Sequence, residues 1–413
     1  MPLVEATPTK LLTELQLARK ESDKLFQILR PEALYERPIA QRHRVIFYIG
    51  HLDGFDAIQI SREGAHKPSP DPELDALFQA GIDPDSANLP KDKQSEWPTL
   101  DEITSYVARC RQHVDEVLDQ CSEDLLLMAI EHRQMHMETL AYMFHNFAFE
   151  LKRPGEDTID EPPSSGTETN NEWITIPAGT ATLGMKDDGQ FGWDNEFGQV
   201  RREVPSFRIQ KHKITNGEYL RCVESGAPMP HFWTKRNGEI LYRGMFAEIP
   251  LPLDWPVYVT EQEAEQYARW IGARLPTEEE FHRAAYGSFD GNERMYPWGE
   301  QEPSWSHGNF DFKRWDPEPV TATPDGDSAF GVSQMLGNGW EWTETIFAPF
   351  PGFHSRPSYP GYSANFFDGE HNVIKGGSPR TAARLLRKSF RNWFRRDYQY
   401  VYAGFRCVTD LNN

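Results

Sequence analysis

In the first third of the chain, apolar residues recur three and four positions apart. Leu11, Leu12, Leu15, Leu17, Leu25, Ile28 and Leu29 form one stripe, which predicts an amphipathic helix over Thr9–Leu29. Similar stripes predict helices over Gln41–Ile60, Leu100–Leu118 and Leu125–Leu151. Four helices with a long connection between the second and third make a bundle, and bundles build metal sites from facing helices. The connection, 61–99, carries Lys67-Pro68-Ser69-Pro70-Asp71-Pro72 and then Gly81-Ile82-Asp83-Pro84. Connections of this length often serve as lids or partner surfaces.

After Lys152 the periodicity stops. Residues 153–172 read as an exposed linker, separating a helical domain over 1–152 from a second domain over 173–413. The second domain shows short strand-like runs, Trp173–Pro177 and Phe207–Ile209, and few helices. Thr215–Glu224 and Glu261–Gly272 are the clearest of these helices. The latter opens with a capping box of Thr260 and Glu263. Gly, Pro, Asn and Trp between these runs imply a compact, loop-rich domain. The fold class expected is therefore α+β.

Composition narrows the picture. The 413 residues suffice for two or three domains, and an aromatic fraction of 13% supports packed cores. A net charge of −20 argues against nucleic-acid partners and against strong binding to anionic membrane. Nothing approaches about 18 consecutive apolar residues, so no membrane span is expected. Met1–Lys10 is polar rather than signal-like, and Cys110, Cys121, Cys222 and Cys407 form no CxxC pair, which fits a reducing cytoplasm. Cys110 and Cys121, eleven apart, are expected to share one helix face.

The candidate chemistry lies in three histidines. His132 and His136 are spaced i, i+4, so on a helix they lie about 40° apart on one face, within reach of one metal ion. Glu138 lies about 240° round from His132, which makes it a supporting carboxylate rather than a ligand. His51, in Tyr48-Ile49-Gly50-His51-Leu52-Asp53, is the best-placed third ligand; His43 and His145 read as bystanders. Three neutral nitrogens leave open positions on an ion for substrate and, if it is iron, for O2.

Six motifs then occur in a fixed order: Trp255-Pro256-Val257-Tyr258-Val259-Thr260, Ala273-Arg274-Leu275-Pro276-Thr277-Glu278-Glu279-Glu280-Phe281, Tyr296-Pro297-Trp298-Gly299, Gly337-Asn338-Gly339-Trp340-Glu341-Trp342-Thr343, Lys375-Gly376-Gly377-Ser378 and Ala403-Gly404-Phe405-Arg406-Cys407. They resemble the formylglycine-generating-enzyme/sulfatase-modifying domain, which has a C-type-lectin-like fold. The N-terminal part is similar to DinB-like four-helix bundles. The combination resembles the EgtB/OvoA-type non-haem iron sulfoxide synthases, and among them most the selenoneine synthase (SenA) type.

The resemblance implies Fe(2+) held by His51, His132 and His136, with O2 and hercynine as partners. It implies that Asn392, Trp393 and Phe394, with Arg396 nearby, line the hercynine site. A quaternary ammonium is suited to an aromatic face such as that of Trp393. Several positions depart from relatives. Arg391 and Arg396 stand where formylglycine-generating enzymes carry a Cys-x4-Cys pair, which argues against sulfatase-cysteine oxidation. Phe394 stands where synthases using γ-glutamylcysteine carry Asp. Thr343–Phe350 lacks the expected Tyr, leaving Tyr398, Tyr400 and Tyr402 as candidate proton donors. The donor expected is a selenosugar or thiosugar. A synthase using cysteine or γ-glutamylcysteine is the alternative, and a non-catalytic metal-binding, lectin-like module the second. The basic cluster Arg384, Arg387, Lys388, Arg391, Arg395 and Arg396 could face an anionic donor or simply pair with the surplus acids.

Overall fold

Apolar stripes that cannot be covered by their own helix must be covered by another, and the first half of the chain does this with helices alone. The computed structural model describes residues 8–79, 89–155 and 171–411. It divides the chain into two compact units, Met1–Asp157 and Thr158–Asn413. Most of the expected linker, and the Gly81-Ile82-Asp83-Pro84 stretch, lie outside the described residues.

The first unit contains α1 (Pro8–Gln27), α2 (Val45–Asp56), α3 (Pro72–Gln79), α4 (Leu100–Asp115) and α5 (Glu123–His145). Helix α1 packs on α5, and α2 packs on both α4 and α3. Helix α5 is buried on nearly every side, as expected of the central element of a bundle. A capping box starts α4: Glu102 N–H donates to the Thr99 hydroxyl at 3.3 Å, and Thr99 N–H donates to the Glu102 carboxylate at 2.8 Å.

Four sequence expectations need correction here. Helix α2 starts at Val45 rather than Gln41, because Arg44 is extended (ψ 155°) and its guanidinium is tied to Tyr35 O and Asp92. It then widens into a π-helical stretch, Ala57–Gly64, which carries it past Ile60. Helix α4 stops at Asp115, and a 3-10 turn at Leu118–Gln120 precedes the Ser122 cap of α5; Cys110 and Cys121 therefore share no helix. Helix α5 ends at His145 instead of Leu151, and the chain leaves through a 3-10 turn at Phe149–Leu151. Finally, the long connection is not all loop, since it contains α3. Proline at the first position of that helix is well placed, since its missing N–H would have no helical partner.

The second unit opens with β1 (Trp173–Ile176), β2 (Gly179–Leu183), β3 (Val200–Val204) and β4 (Phe207–Gln210). Helix α6 (Asn216–Glu224) follows, then the meander β5 (Trp233–Arg236), β6 (Glu239–Arg243) and β7 (Glu248–Pro250). Next come α7 (Glu261–Trp270) and α8 (Glu278–Tyr286). The last part holds β8 (Trp340–Ile346), β9 (His371–Lys375), β10 (Asn392–Arg395), β11 (Ala403–Gly404) and β12 (Val408–Asp410). Helix α8 is unanticipated, although Thr277 and Glu280 form its capping box and were readable as one.

Among the described residues the strands form four small sheets, β1-β4-β12, β10-β9-β8-β11, β2-β3 and β5-β6-β7. One core packs α8, through Phe281, Ala284, Ala285 and Tyr286, against Ile176, Phe207, Ile209 and Val408 of the first of these sheets. The Gly-Phe-Arg motif is explained by Arg406. Its guanidinium, fully buried, binds Glu341 in a fork at 2.6 and 2.8 Å and donates to the carbonyls of Lys211 and Ser333. The chain thus pairs a helical bundle with a sheet-rich, loop-rich unit, the α+β class expected.

Candidate functional site

Helices α2 and α5 bring the three histidines together. Ring nitrogens of His51, His132 and His136 all lie within 4.8 Å of one another. The Nε2 atoms of His51 and His136 are 3.2 Å apart. Two nitrogens each about 2.1 Å from one ion would be about 3.0 Å apart at a right angle and about 3.4 Å apart at a tetrahedral one, so the spacing suits a shared ion.

Glycine makes room for this approach. A Cβ on Gly50 would meet the Phe78 ring at 2.5 Å, and one on Gly54 would meet the Tyr106 hydroxyl at 2.7 Å. With neither present, Phe78 of α3 sits directly on α2, and its carbonyl lies 2.6 Å from His51 Nδ1. That bond places the His51 proton on Nδ1 and leaves Nε2 as a bare lone pair. The rings are also held by stacking. Phe55 lies on His132 at 3.5 Å and 12°, and Phe47 on His51 at 4.8 Å and 20°.

Burial keeps all three imidazoles neutral. His51 is lowered to about 4, chiefly by loss of solvent and only partly offset by its bond to Phe78. His132 and His136 are pushed well down by burial and then by the neighbouring imidazoles. Among the described residues His136 Nδ1 has no hydrogen-bond partner. Neutral, desolvated and converging nitrogens are the donor set that a borderline divalent ion accepts, so the residues fit the metal that the sequence led us to expect. Glu138 is buried on α5 but is not in the cluster. His43 stacks on Phe47 and His145 is the last residue of α5, both outside it.

In the second unit, Asn392, Trp393 and Phe394 fall on β10, which pairs antiparallel with β9. Adjacent strand residues point to opposite faces, so Trp393 and Phe394 have different surroundings. Trp393 lies flat on Phe347 at 4.3 Å and 7°, with Tyr362 edge-on at 5.4 Å and Phe366 tilted at 5.5 Å. Tyr362 in turn stacks on Trp193 at 4.1 Å. Asn392 accepts from the Trp393 N–H at 2.9 Å. Phe394 stacks instead on Tyr398, and Tyr398 meets Tyr400 edge-on. Tyr402 is buried against Tyr258 and Phe232 in the interior.

Thus Tyr398 and Tyr400 accompany Phe394, whereas the phenol brought to Trp393 is Tyr362. Sequence reasoning missed it because it comes from the Tyr359-Pro360-Gly361-Tyr362 turn, which joins β8 to β9; four aromatic residues between Tyr359 and Phe367 were the available signal. The basic cluster is largely neutralised by acids. Arg387 binds Glu196, Lys388 binds Glu293, Arg391 binds Glu278, and Arg396 binds Glu261 and Glu265. Arg391 and Arg396 are therefore ion-pair residues at the positions that align with the Cys-x4-Cys pair of formylglycine-generating enzymes.

Two comparisons bear on what this arrangement serves. Residues 158–411 match the Sulfatase-modifying factor enzyme 1-like domain family. Along nearly the whole chain there is similarity to the hercynine oxygenase of Mycolicibacterium smegmatis, 31% identical, covering 97% of this chain and 99% of that protein. The chain belongs to the hercynine oxygenase family. A second hercynine oxygenase, from Mycobacterium tuberculosis, is 33% identical over 74% of this chain and 77% of its own length. Ergothioneine biosynthesis protein 1 of Neurospora crassa is 28% identical over 93% of this chain, which spans 56% of that longer protein. As a member of the hercynine oxygenase family the chain is an enzyme, and its second unit has the sulfatase-modifying fold expected from the six motifs. His51, His132 and His136 form a group that could hold a metal ion. Among the described residues no helix is long and apolar enough to cross a membrane.

Proposed function

We propose that this enzyme joins a chalcogen, sulfur in the first instance, to C2 of the hercynine imidazole in a reaction dependent on Fe(II) and O2. The observation that carries the proposal is the convergence of His51, His132 and His136 in a chain of the hercynine oxygenase family. Bound Fe(II) would supply the centre at which O2 is activated. The rest follows from the chain's own groups. The Phe78 carbonyl orients His51, and Phe55 and Phe47 hold the rings of His132 and His51 against rotation. The Trp393 face, buttressed by Phe347 and Phe366, suits the trimethylammonium of hercynine, which donates no hydrogen bond and must be held by π-faces and oxygens. Tyr362 is the phenol that supports proton donation near that face, in preference to Tyr402.

A second reading concerns the donor. Phe394, stacked on Tyr398, offers an apolar surface where a carboxylate would help to hold an aminothiol. This favours a selenosugar or thiosugar donor over cysteine or γ-glutamylcysteine. Incubating the Fe(II)-loaded chain with hercynine, O2 and equal amounts of 1-thio-β-glucose, its seleno analogue, cysteine and γ-glutamylcysteine tests both readings. Mass spectrometry should find one hercynine–chalcogen adduct. Exclusive use of cysteine-type thiols contradicts the sugar reading, and no adduct from any donor contradicts the proposal.

A further inference from the structure

Beside the histidines lies a buried charge network that the reaction does not use. Arg133 follows His132 on α5 and is fully buried. Its guanidinium binds Asp53 at 2.8 Å and Asp56 at 2.7 Å, both on α2 and the former two residues past His51. It also donates to the Ser22 hydroxyl of α1 at 3.0 Å. Arg111 of α4 grips Asp53 from another side, at 3.0 and 2.9 Å. All four long helices therefore meet at one ionic cluster, in which Arg133 Nη2, bridging Asp53 and Asp56, is the ionic link between the two histidine-bearing helices.

Such a cluster is a costly way to hold a bundle together. Desolvating buried ions offsets most of their attraction, and apolar side chains of equal volume would pack the same helices at least as stably. What a guanidinium nitrogen shared by two carboxylates supplies, and an apolar contact does not, is a defined register. Register matters here more than elsewhere in the bundle. Rotating α5 by one residue turns its face by about 100°, which would carry His132 and His136 away from His51. Immediately after Asp56, α2 widens into its π-helical stretch, so Arg133 grips the last regular turn of that helix.

We propose that Arg133 is a positioning residue: by clamping Asp53 and Asp56 it fixes the register of α2 against α5 and thereby sets the affinity of the His51–His132–His136 triad for its ion. This rests on the metal reading of the triad. Removing Arg133 alone would, by simple electrostatics, tighten metal binding, so the variants that test the proposal leave the net charge of the cluster unchanged.

The test is anaerobic Co(II) titration of the full chain, read by visible absorption, alongside the melting temperature of the metal-free protein. Arg133→Met/Asp56→Asn removes one charge of each sign and strands no uncompensated ion. It should bind Co(II) about 10- to 100-fold more weakly, the loss expected when support behind a ligand is removed. Leu25→Ala, a cavity variant in α1, serves as the stability control and should bind like wild type. Arg133→Lys keeps the charge but cannot hold Asp53, Asp56 and Ser22 together as Nη2 and Nη1 do, and should weaken binding several-fold; it decides the matter if the double variant does not fold. Wild-type affinity in the double variant, or in Arg133→Lys where only that variant folds, overturns the proposal, as does an equal loss in Leu25→Ala. If His132→Ala binds Co(II) as wild type does, the metal reading itself has failed, and that outcome is distinct from the others.

Discussion

The two units hold their candidate residues in different ways. In the helical unit, three histidines converge from two regular helices, with aromatic rings stacked against His51 and His132 and an ionic network beside them. In the sheet-rich unit, Trp393 sits on the edge strand β10, and the rings around it come from the end of β8 and from the 351–370 loop. On the proposed function, the contrast follows from what each unit would do. An ion tolerates misplacement of its ligands by only a few tenths of an ångström, and helices position side chains more precisely than loops. Recognition of a methylated cation requires apolar faces at about the right distance, which loops can supply and vary.

If that division is correct, damage to the two units should separate cleanly. The largest effect is expected from His132→Ala, which should abolish both metal binding and turnover, checked by metal titration and by adduct formation. Next is Gly50→Ala. Its new Cβ would strike the Phe78 ring, so the variant should lose about 1–3 kcal/mol of stability by denaturant unfolding and also bind metal more weakly, because Phe78 orients His51. On the other unit, Trp393→Ala should leave metal affinity unchanged and raise KM for hercynine. A cation–π contact of about 0.5–2 kcal/mol corresponds to roughly 2- to 30-fold. A change in metal affinity in this variant would show that the two units do not act separately. The smallest effect is at Thr99, whose loss in Thr99→Ala removes the cap of α4. It should cost about 1 kcal/mol in an unfolding titration without altering KM.

Legibility in the sequence also divides along this line. The four long helices were readable from apolar spacing, since a stripe that buries itself must repeat with the helical period. Their ends were not: Arg44 delays α2 through contacts with Asp92 and Tyr35, which are distant in sequence, and the π-helical stretch follows no apolar rule. The i, i+4 spacing of His132 and His136 was local, and so was visible. The support from Phe78 was not, because it depends on α3 inside a connection that looked like loop. In the second unit, the fold was legible through motif order rather than periodicity. Its strands are too short to show alternation, and the motif residues that matter, such as Arg406 and Glu341, act through contacts made only after folding. Tyr362 was missed for the same reason: nothing in its own neighbourhood ties it to Trp393, some thirty residues on.

On the proposed function, the triad is where oxygen is consumed in a reaction with hercynine. Oxygen uptake by the Fe(II)-loaded chain, measured with an electrode while the adduct is followed by mass spectrometry, tests it most directly. Uptake should require both hercynine and a chalcogen donor, should track adduct formation, and should vanish in His132→Ala. Uptake by His132→Ala at the wild-type rate, or no hercynine-dependent uptake by wild type with any donor, would contradict it.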